Sequence, residues 1–538
     1  LPKKPIAKKV NFQILVYSSI TTQFLLNLLI FLKMKKILPI LFVMTLGVAL
    51  QAQRYVSEIF SDVTVTENQV YGVNATFLGL ATAAQQAIPQ PLVLDVYEPT
   101  GDTESERPLV IIFHTGNFVP TSLNGGCTGT TKDATVVETA RRLAKMGYVA
   151  ASADYRIGWL ADNPSQTVRV YTLINAAYRG VQDSRTAIRY FKKSAAENGN
   201  PFGIDPNKIT LMGFGTGGYI TYASATLDTV TDTWIPKFIT PQGPMVVEQF
   251  NGNVDGTTFG VTPPTGLPPF PANDTLNYPN HVGYNSEFQL SIAIGGALGD
   301  TSWIDENDPP MIGIQVPTDP FAPCGIGDVI VPPPINFTVV EVMGSCTAMP
   351  IAYEEGLNDV FDKPFIDDVS TYVNSVNGGI EGFYPIFSND PTEGSPWNWS
   401  QSLAPYDVPN ANCDTAYWTG AKPYLDSIMT YLTPRMCLAL GLGCDLTGYS
   451  NTAEKLDASN VGLNVFPNPA SEVIRFSTAS EFPIKDVYVY DLNGRLVKAE
   501  TGVNSNIFTM KRHSLPAGTY LAKVIFKDGF VMQKILFN

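Results

Sequence analysis

Acyl-transfer chemistry needs a nucleophilic oxygen or sulfur, a base to take its proton, and donors for the negative oxygen that develops. One stretch of this chain has a shape that suits such chemistry. The apolar run Ile209-Thr-Leu-Met212 leads into Gly213-Phe214-Gly215-Thr216-Gly217-Gly218, and the residues beyond have helical character. A chain that turns sharply from strand to helix crowds its own backbone, and small flanking residues let the two segments pass. The residue at the middle of the turn stands over the helix N-terminus, where N–H groups can hold a negative oxygen. Here that residue is Gly215, which carries no oxygen, sulfur or carboxylate. Thr216 follows, but a threonine hydroxyl without an adjacent base is a feeble nucleophile. Cys127 is chemically better and needs a partner to make its thiolate. Bases are scarce, with only three histidines in the chain: His114, His281 and His513. The glycine run lacks the Gly-Lys-Ser/Thr of a phosphate-binding loop, and nucleotide binding is not expected.

The elements around this turn alternate in type. Strand character is read over Arg54–Val65, Leu92–Tyr97, Leu109–Phe113, Tyr148–Ala153 and Ile209–Met212, and helical character over Ala134–Met146 and about Tyr178–Asn198. The unbroken apolar run Leu109–Phe113 suits a strand buried on both faces. Strand and helix in this rhythm predict a doubly wound, mostly parallel sheet with helices on both faces, an α/β architecture. Residues 240–287 interrupt it with a long Pro-, Asn- and Gly-rich excursion, which is expected to be a lid or surface decoration. Strands resume at Phe288–Ile294, Met311–Val316 and Phe337–Met343; residues 350–420 read as irregular and aromatic, and Tyr424–Leu442 as a closing helix. Thr447–Val461 is a polar linker, and residues 462–538 have the short strands and turns of a small all-β sandwich, with Asn493-Gly494 as a hairpin signal.

Composition limits the partners. Over the 538 residues, 49 acidic and 35 basic side chains give a formal charge of −14. All the charges in residues 1–52 are the seven lysines 3, 4, 8, 9, 33, 35 and 36, so residues 53–538 carry 28 basic and 49 acidic groups, a net −21. So acidic a body does not suit phosphate-backbone binding or docking on anionic lipid. The first methionine is Met34; Lys35-Lys36 and the apolar run Ile37–Leu50 follow, with Ala49 and Ala52 placed for cleavage. That is a signal peptide over 34–52, and residues 1–33 read as upstream sequence translated in error. No later run is long enough to span a bilayer. Export agrees with six cysteines, 127, 324, 346, 413, 437 and 444. Cys324–Cys346 and a pair among the last three are the pairings nearest in sequence. No CxxC spacing occurs and no histidine lies near them, so neither a metal nor a cofactor is expected. The acidic run Asp305-Glu306-Asn307-Asp308 reads as a solvated loop.

Two resemblances to known families sharpen this picture. Pro467-Asn-Pro-Ala470, Tyr490-Asp-Leu-Asn-Gly-Arg495, Leu515-Pro-Ala-Gly-Thr-Tyr520 and the apolar terminus beyond Lys534 resemble the C-terminal sorting domain of type IX secretion cargo in the Bacteroidetes. This implies that residues 462–538 meet the secretion machinery and that the body ends up extracellular or on the outer-membrane surface. Within residues 53–446, Phe113-His-Thr-Gly-Asn-Phe118, Asp154-Tyr-Arg156, Asp183-Ser-Arg-Thr-Ala187 and Asp205–Gly218 resemble the α/β-hydrolase fold, its esterase and lipase branch. The resemblance implies that Gly215 holds the nucleophile position and that His114, Thr115, Gly116 and Thr216 bound the oxyanion pocket. It places the acid at Asp319, in Gln315-Val-Pro-Thr-Asp319-Pro320, where an aspartate capping a turn before proline is an equal alternative. The triad histidine should follow Asp319 within the domain, and none does. Thr216 and His281 remain as substitutes. Three functions compete: a surface module that binds a small molecule or surface ligand in the cleft between the oxyanion loop, the turn and the 240–287 excursion; an ester hydrolase with unconventional residues; and a filament or adhesion subunit.

Overall fold

The computed structural model describes residues 54–538 except 77–86, 125–127, 268, 332–335, 364, 389–392, 400–417, 447–453, 491–495, 501, 514 and 528. The signal segment, Cys127, Cys413 and the Asn493-Gly494 turn lie outside the described residues. The body is built on one eight-stranded sheet. Its strands are β1 (Val63–Thr76), β2 (Ile88–Pro99), β3 (Arg107–Phe113), β4 (Val149–Ala153), β5 (Ile204–Phe214), β6 (Leu290–Ile294), β7 (Met311–Gln315) and, after a further hairpin, a strand at Phe383–Pro385. In space they run β1-β2-β4-β3-β5-β6-β7 and then Phe383–Pro385. β1 pairs antiparallel with β2, and β2 antiparallel with β4; every later pairing is parallel.

The helices follow from the pattern of apolar residues. Helix α1 (Ala134–Met146) buries Val137, Ala140, Leu143 and Ala144, one face at helical spacing. It stops at Gly147, whose φ of 104° lets its N–H turn back to the carbonyls of Leu143 and Ala144. Helix α2 (Gln166–Glu197) has 32 residues, and α3 (Thr216–Thr226) starts one residue after β5 ends. Along β3 the side chains alternate between two cores. Leu109, Ile111 and Phe113 join the side of Ile174, Val181 and Ile220 from α2 and α3. Val110 and Ile112 join the side of Leu143 from α1 and of Leu425 and Leu432 from the helix Trp418–Ala439. The continuous apolar run in the sequence thus means burial on both faces.

Several elements differ from the sequence reading. β1 starts at Val63 rather than Arg54, because Tyr55 sits at φ 72° in a turn. Helix α2 starts at Gln166, twelve residues before Tyr178; the β-branched residues Val168, Val170, Thr172 and Ile174 obscured the helical period there. The segment near Phe337 does not enter the main sheet. It forms β9 (Thr338–Gly344), paired antiparallel with β8 (Ile326–Ile330). The last strand of the main sheet is Phe383–Pro385, here β10, inside the stretch that read as irregular. Beyond the body, residues 464–537 form antiparallel sheets of two small stacks, with Asp486–Tyr490 and Leu496–Glu500 paired on either side of the undescribed residues 491–495. Cys324–Cys346 and Cys437–Cys444 are disulfides. Among the described residues no helix is long and apolar enough to cross a membrane.

A buried ion pair ties the excursion to this frame. Arg156 and Asp183 are both fully buried, with Nε donating to Oδ1 at 2.9 Å and the Arg156 backbone N–H donating to Oδ2 at 2.7 Å. The same guanidinium donates to the Leu276 carbonyl and to Gln182 Oε1, each at 3.0 Å. Gln182 in turn donates to the carbonyls of Asn251 and Asn253. The excursion is therefore clamped on α2 through its own backbone, and within it only short strands and one four-residue helix form. Removing one partner of such a pair strands a buried charge. Asp183→Ala should lower unfolding free energy by about 3–5 kcal/mol in guanidinium titrations; an unchanged midpoint would show that the pair does not hold the frame.

Candidate functional site

The turn between β5 and α3 is as tight as sterics permit. A Cβ on Gly213 would lie 2.0 Å from the Gly217 carbonyl oxygen, and one on Gly217 would lie 2.2 Å from that of Phe113. Only glycine fits at either position. Gly215 lies between them at φ 53°, ψ −117°, with its N–H donating to the Ile294 carbonyl at 2.8 Å. This is the strained conformation expected at the middle of the turn, and glycine adopts it at little cost. Thr216 begins α3, so its N–H is among the first-turn donors that lack an intrahelical partner.

The volume above Gly215 is occupied. A Cβ built there would fall 2.1 Å from Thr115 Oγ1 and 2.8 Å from Thr115 Cβ. The loop after β3 thus places the Thr115 hydroxyl in the space where a side chain at 215 would stand. A tyrosine holds the loop in place: Tyr155 Oη donates to the carbonyls of His114 and Thr115 at 3.0 and 3.2 Å, and lies 2.9 Å from Thr216 Oγ1. Its ring stacks on His114 at 4.6 Å between centroids.

Neither histidine of the body is placed to act as a base at this turn. His114 is 1% exposed and is not among the cavity-lining residues, contrary to the expectation that it bounds the pocket. Its Nε2 lies 3.2 Å from Asp154 Oδ1 and its Nδ1 faces the Thr115 carbonyl, so both nitrogens are engaged by oxygen atoms of the fold. Burial pulls the imidazole down, but the Asp154 hydrogen bond and charge, with Asp133 behind, leave it raised above the ordinary histidine value. His281 is held outside the cavity, with Nε2 2.7 Å from the Tyr71 carbonyl and its ring beside Tyr190. His513 lies in the tail.

Gly215, Thr216, Thr115 and Asp319 converge on one cavity of about 460 Å³, while Gly116 is absent from its lining. Asp319 sits past the end of β7 and does two things at once. Its Oδ1 accepts the backbone N–H groups of Phe321 and Ala322 at 2.8 and 3.0 Å, capping the turn, and its carboxylate faces the cavity. The loop after β10 brings Glu393, Gly394 and Ser395 to the same place, and a Cβ on Gly394 would lie 2.6 Å from the Asp319 carboxylate. A base following the acid in chain order would come from this loop; its residues there are glutamate, glycine and serine. The sequence reading missed the loop, because the only signal was the short apolar run Phe383-Tyr-Pro-Ile-Phe387 in an aromatic stretch. The cavity roof also differs from expectation. It comes from the β8–β9 hairpin, through Val329, Ile330, Val331, Val340 and Val342, and no described residue of 240–287 lines it. The disulfide Cys324–Cys346 closes the base of that hairpin, and the excursion is held elsewhere by its clamp on α2. Among the described residues no cluster of metal-ligating side chains occurs.

Residues 94–327 match the BD-FAE family model. They form an esterase-like α/β-hydrolase domain. Residues 464–538 match the secretion system C-terminal sorting domain, which directs the chain by type IX secretion to the cell surface or the extracellular space. No curated protein gives a significant match. Among solved structures, the hydrolase-like domain is similar to a thermophilic esterase from the Planctomycetes species Thermogutta terrifontis with propionate bound. The two are 19% identical over 48% of this chain and 74% of that one, with a TM-score of 0.26. A truncated carbohydrate esterase from gut microbiota is 14% identical over 70% of this chain and 98% of that one, with a TM-score of 0.30.

The overlap of Thr115 with the side-chain space at 215 has a direct consequence for the hydrolase-like domain. Gly215→Ser should destabilise it by more than the about 1–3 kcal/mol of backbone strain alone. Adding Thr115→Gly should recover part of the loss, with a coupling of about 0.5–3 kcal/mol in a double-mutant cycle from chemical denaturation. Strict additivity would mean that the two residues do not share that volume.

Proposed function

We propose that this secreted domain binds a ligand in the esterase-like cavity and performs no serine-type hydrolysis. The observation that carries the reading is the Thr115 hydroxyl 2.1 Å from where a Cβ at 215 would be, so that the nucleophile space is filled as well as vacated. Two further facts support it. The nearest imidazole has both nitrogens engaged by oxygen atoms of the fold, and the loop facing Asp319 offers no imidazole. Thr115 and Thr216 each supply a hydroxyl at the cavity, and its described lining includes no imidazole to activate either. Residues 34–52 act as the export signal and the tail engages the secretion machinery, leaving residues 53–446 as the working module.

The test is ester turnover by the mature protein on p-nitrophenyl acetate and butyrate. Wild type and Thr115→Gly/Gly215→Ser should both stay at background, because the second still lacks a base. Adding Ser395→His, beside Asp319 and clear of the collision that a side chain at 394 would meet, should raise turnover above background. Wild-type turnover that disappears on Thr115→Val or Thr216→Val would instead establish an ester hydrolase with unconventional residues.

A further inference from the structure

The cavity has two chemically distinct regions. Most of its wall is apolar: Leu173, Ile174 and Val181 from α2, Phe238 and Trp303 from the connections, and the valines of the β8–β9 roof. Polar groups gather where the β5–α3 turn, Asp319 and the loop after β10 meet. Asp319 and Glu393 are the only charged residues among the described lining, which includes no lysine, arginine or histidine. Among the described residues neither carboxylate forms an ion pair. Asp319 accepts only backbone N–H groups, and Glu393 Oε1 accepts the Ser395 N–H at 2.6 Å. Burial raises the Asp319 carboxyl above its ordinary value against the pull of those two N–H groups, and the Glu393 charge adds to the rise.

We infer that the cavity accommodates a cationic amphiphile, with an apolar body under the β8–β9 hairpin and a protonated amine between Asp319 and Glu393. This rests on the binding reading above and specifies the ligand class for the same site. The volume, about 460 Å³, falls within the range of small-molecule pockets. Two unpaired carboxylates in a partly desolvated site attract a cation more strongly than they would in water, and they repel a carboxylate ligand by the same margin. The charge of the chain acts in the same direction, since a net −14 raises the local concentration of cations. A free carboxylic acid, the product an ester hydrolase would hold here, is therefore the ligand that this lining disfavours.

Decylammonium, decanol and decanoate share one chain and differ only in the head, so they separate the two halves of the inference. Each would be titrated into the mature protein below its aggregation concentration, with binding followed by calorimetry and by the fluorescence of Trp159 and Trp303 in the wall. Decylammonium should bind at least tenfold tighter than decanoate, with decanol between them. Asp319→Asn/Glu393→Gln should abolish that order and leave decanol binding intact, which also shows that the variant is folded. Equal affinities for all three, or decanoate the tightest, would overturn the inference and leave the binding reading standing. Binding by none of them would overturn it too. Ester turnover by wild type, a separate measurement, is what would remove the reading beneath it.

Discussion

At position 215 a side chain and the Thr115 hydroxyl compete for one volume, and the rest of the site is arranged around that exclusion. The turn itself is fixed by backbone contacts that allow only glycine at 213 and 217, so its shape survives whatever stands at 215. A strand–helix junction of this kind is a packing solution before it is a catalytic one. With glycine at its centre the strain of φ 53° costs little, and Thr115 of the neighbouring loop occupies the space a side chain there would take. Tyr155 then locks that loop by bonding two of its carbonyls and approaching the Thr216 hydroxyl. That buried hydroxyl bridges the β3 loop and the head of α3.

The same economy explains the histidine and the carboxylate. His114 contacts Asp154 and the backbone beside it, so the one imidazole near the turn has both nitrogens engaged within the loop. Asp319 keeps its place beyond β7 because it caps the turn through Phe321 and Ala322, which would hold it there with or without catalysis. Asp319 and Glu393 with no imidazole among the described lining leave a cavity that is apolar along its walls and negative at one end. In the proposed function that combination discriminates by charge and by chain, as a binding site does. Delivery to the cell surface by the sorting domain places such a site where it meets ligands outside the cell.

Much of the frame was legible in the sequence, for stated physical reasons. Leu109–Phe113 could be read as a doubly buried strand because it has no polar alternation, and α1 because its apolar spacing and its terminal Gly147 agree. The tight strand–helix turn was legible because the flanking glycines Gly213 and Gly217 mark it independently of its centre. What escaped was set by long-range packing. Nothing local in Phe383–Pro385 says that three residues complete a parallel sheet, and nothing in Thr338–Gly344 says that its strand leaves that sheet to roof the cavity. The filling of the 215 space by Thr115 depends on a loop about a hundred residues earlier in the chain, and no spacing rule reports it. The excursion at 240–287 read by composition as a lid or a surface decoration, and the Arg156 bond that ties it to the frame is a tertiary fact no local pattern reports.

Intact-protein mass spectrometry after exposure of the mature wild-type chain to a fluorophosphonate tests the absence of an activated nucleophile most directly. The account predicts an unchanged mass at reagent concentrations that fully label a serine esterase run alongside. A stoichiometric phosphonyl adduct mapped to Thr115 or Thr216 would contradict it, because it would require an activated hydroxyl in a cavity whose described lining holds no imidazole.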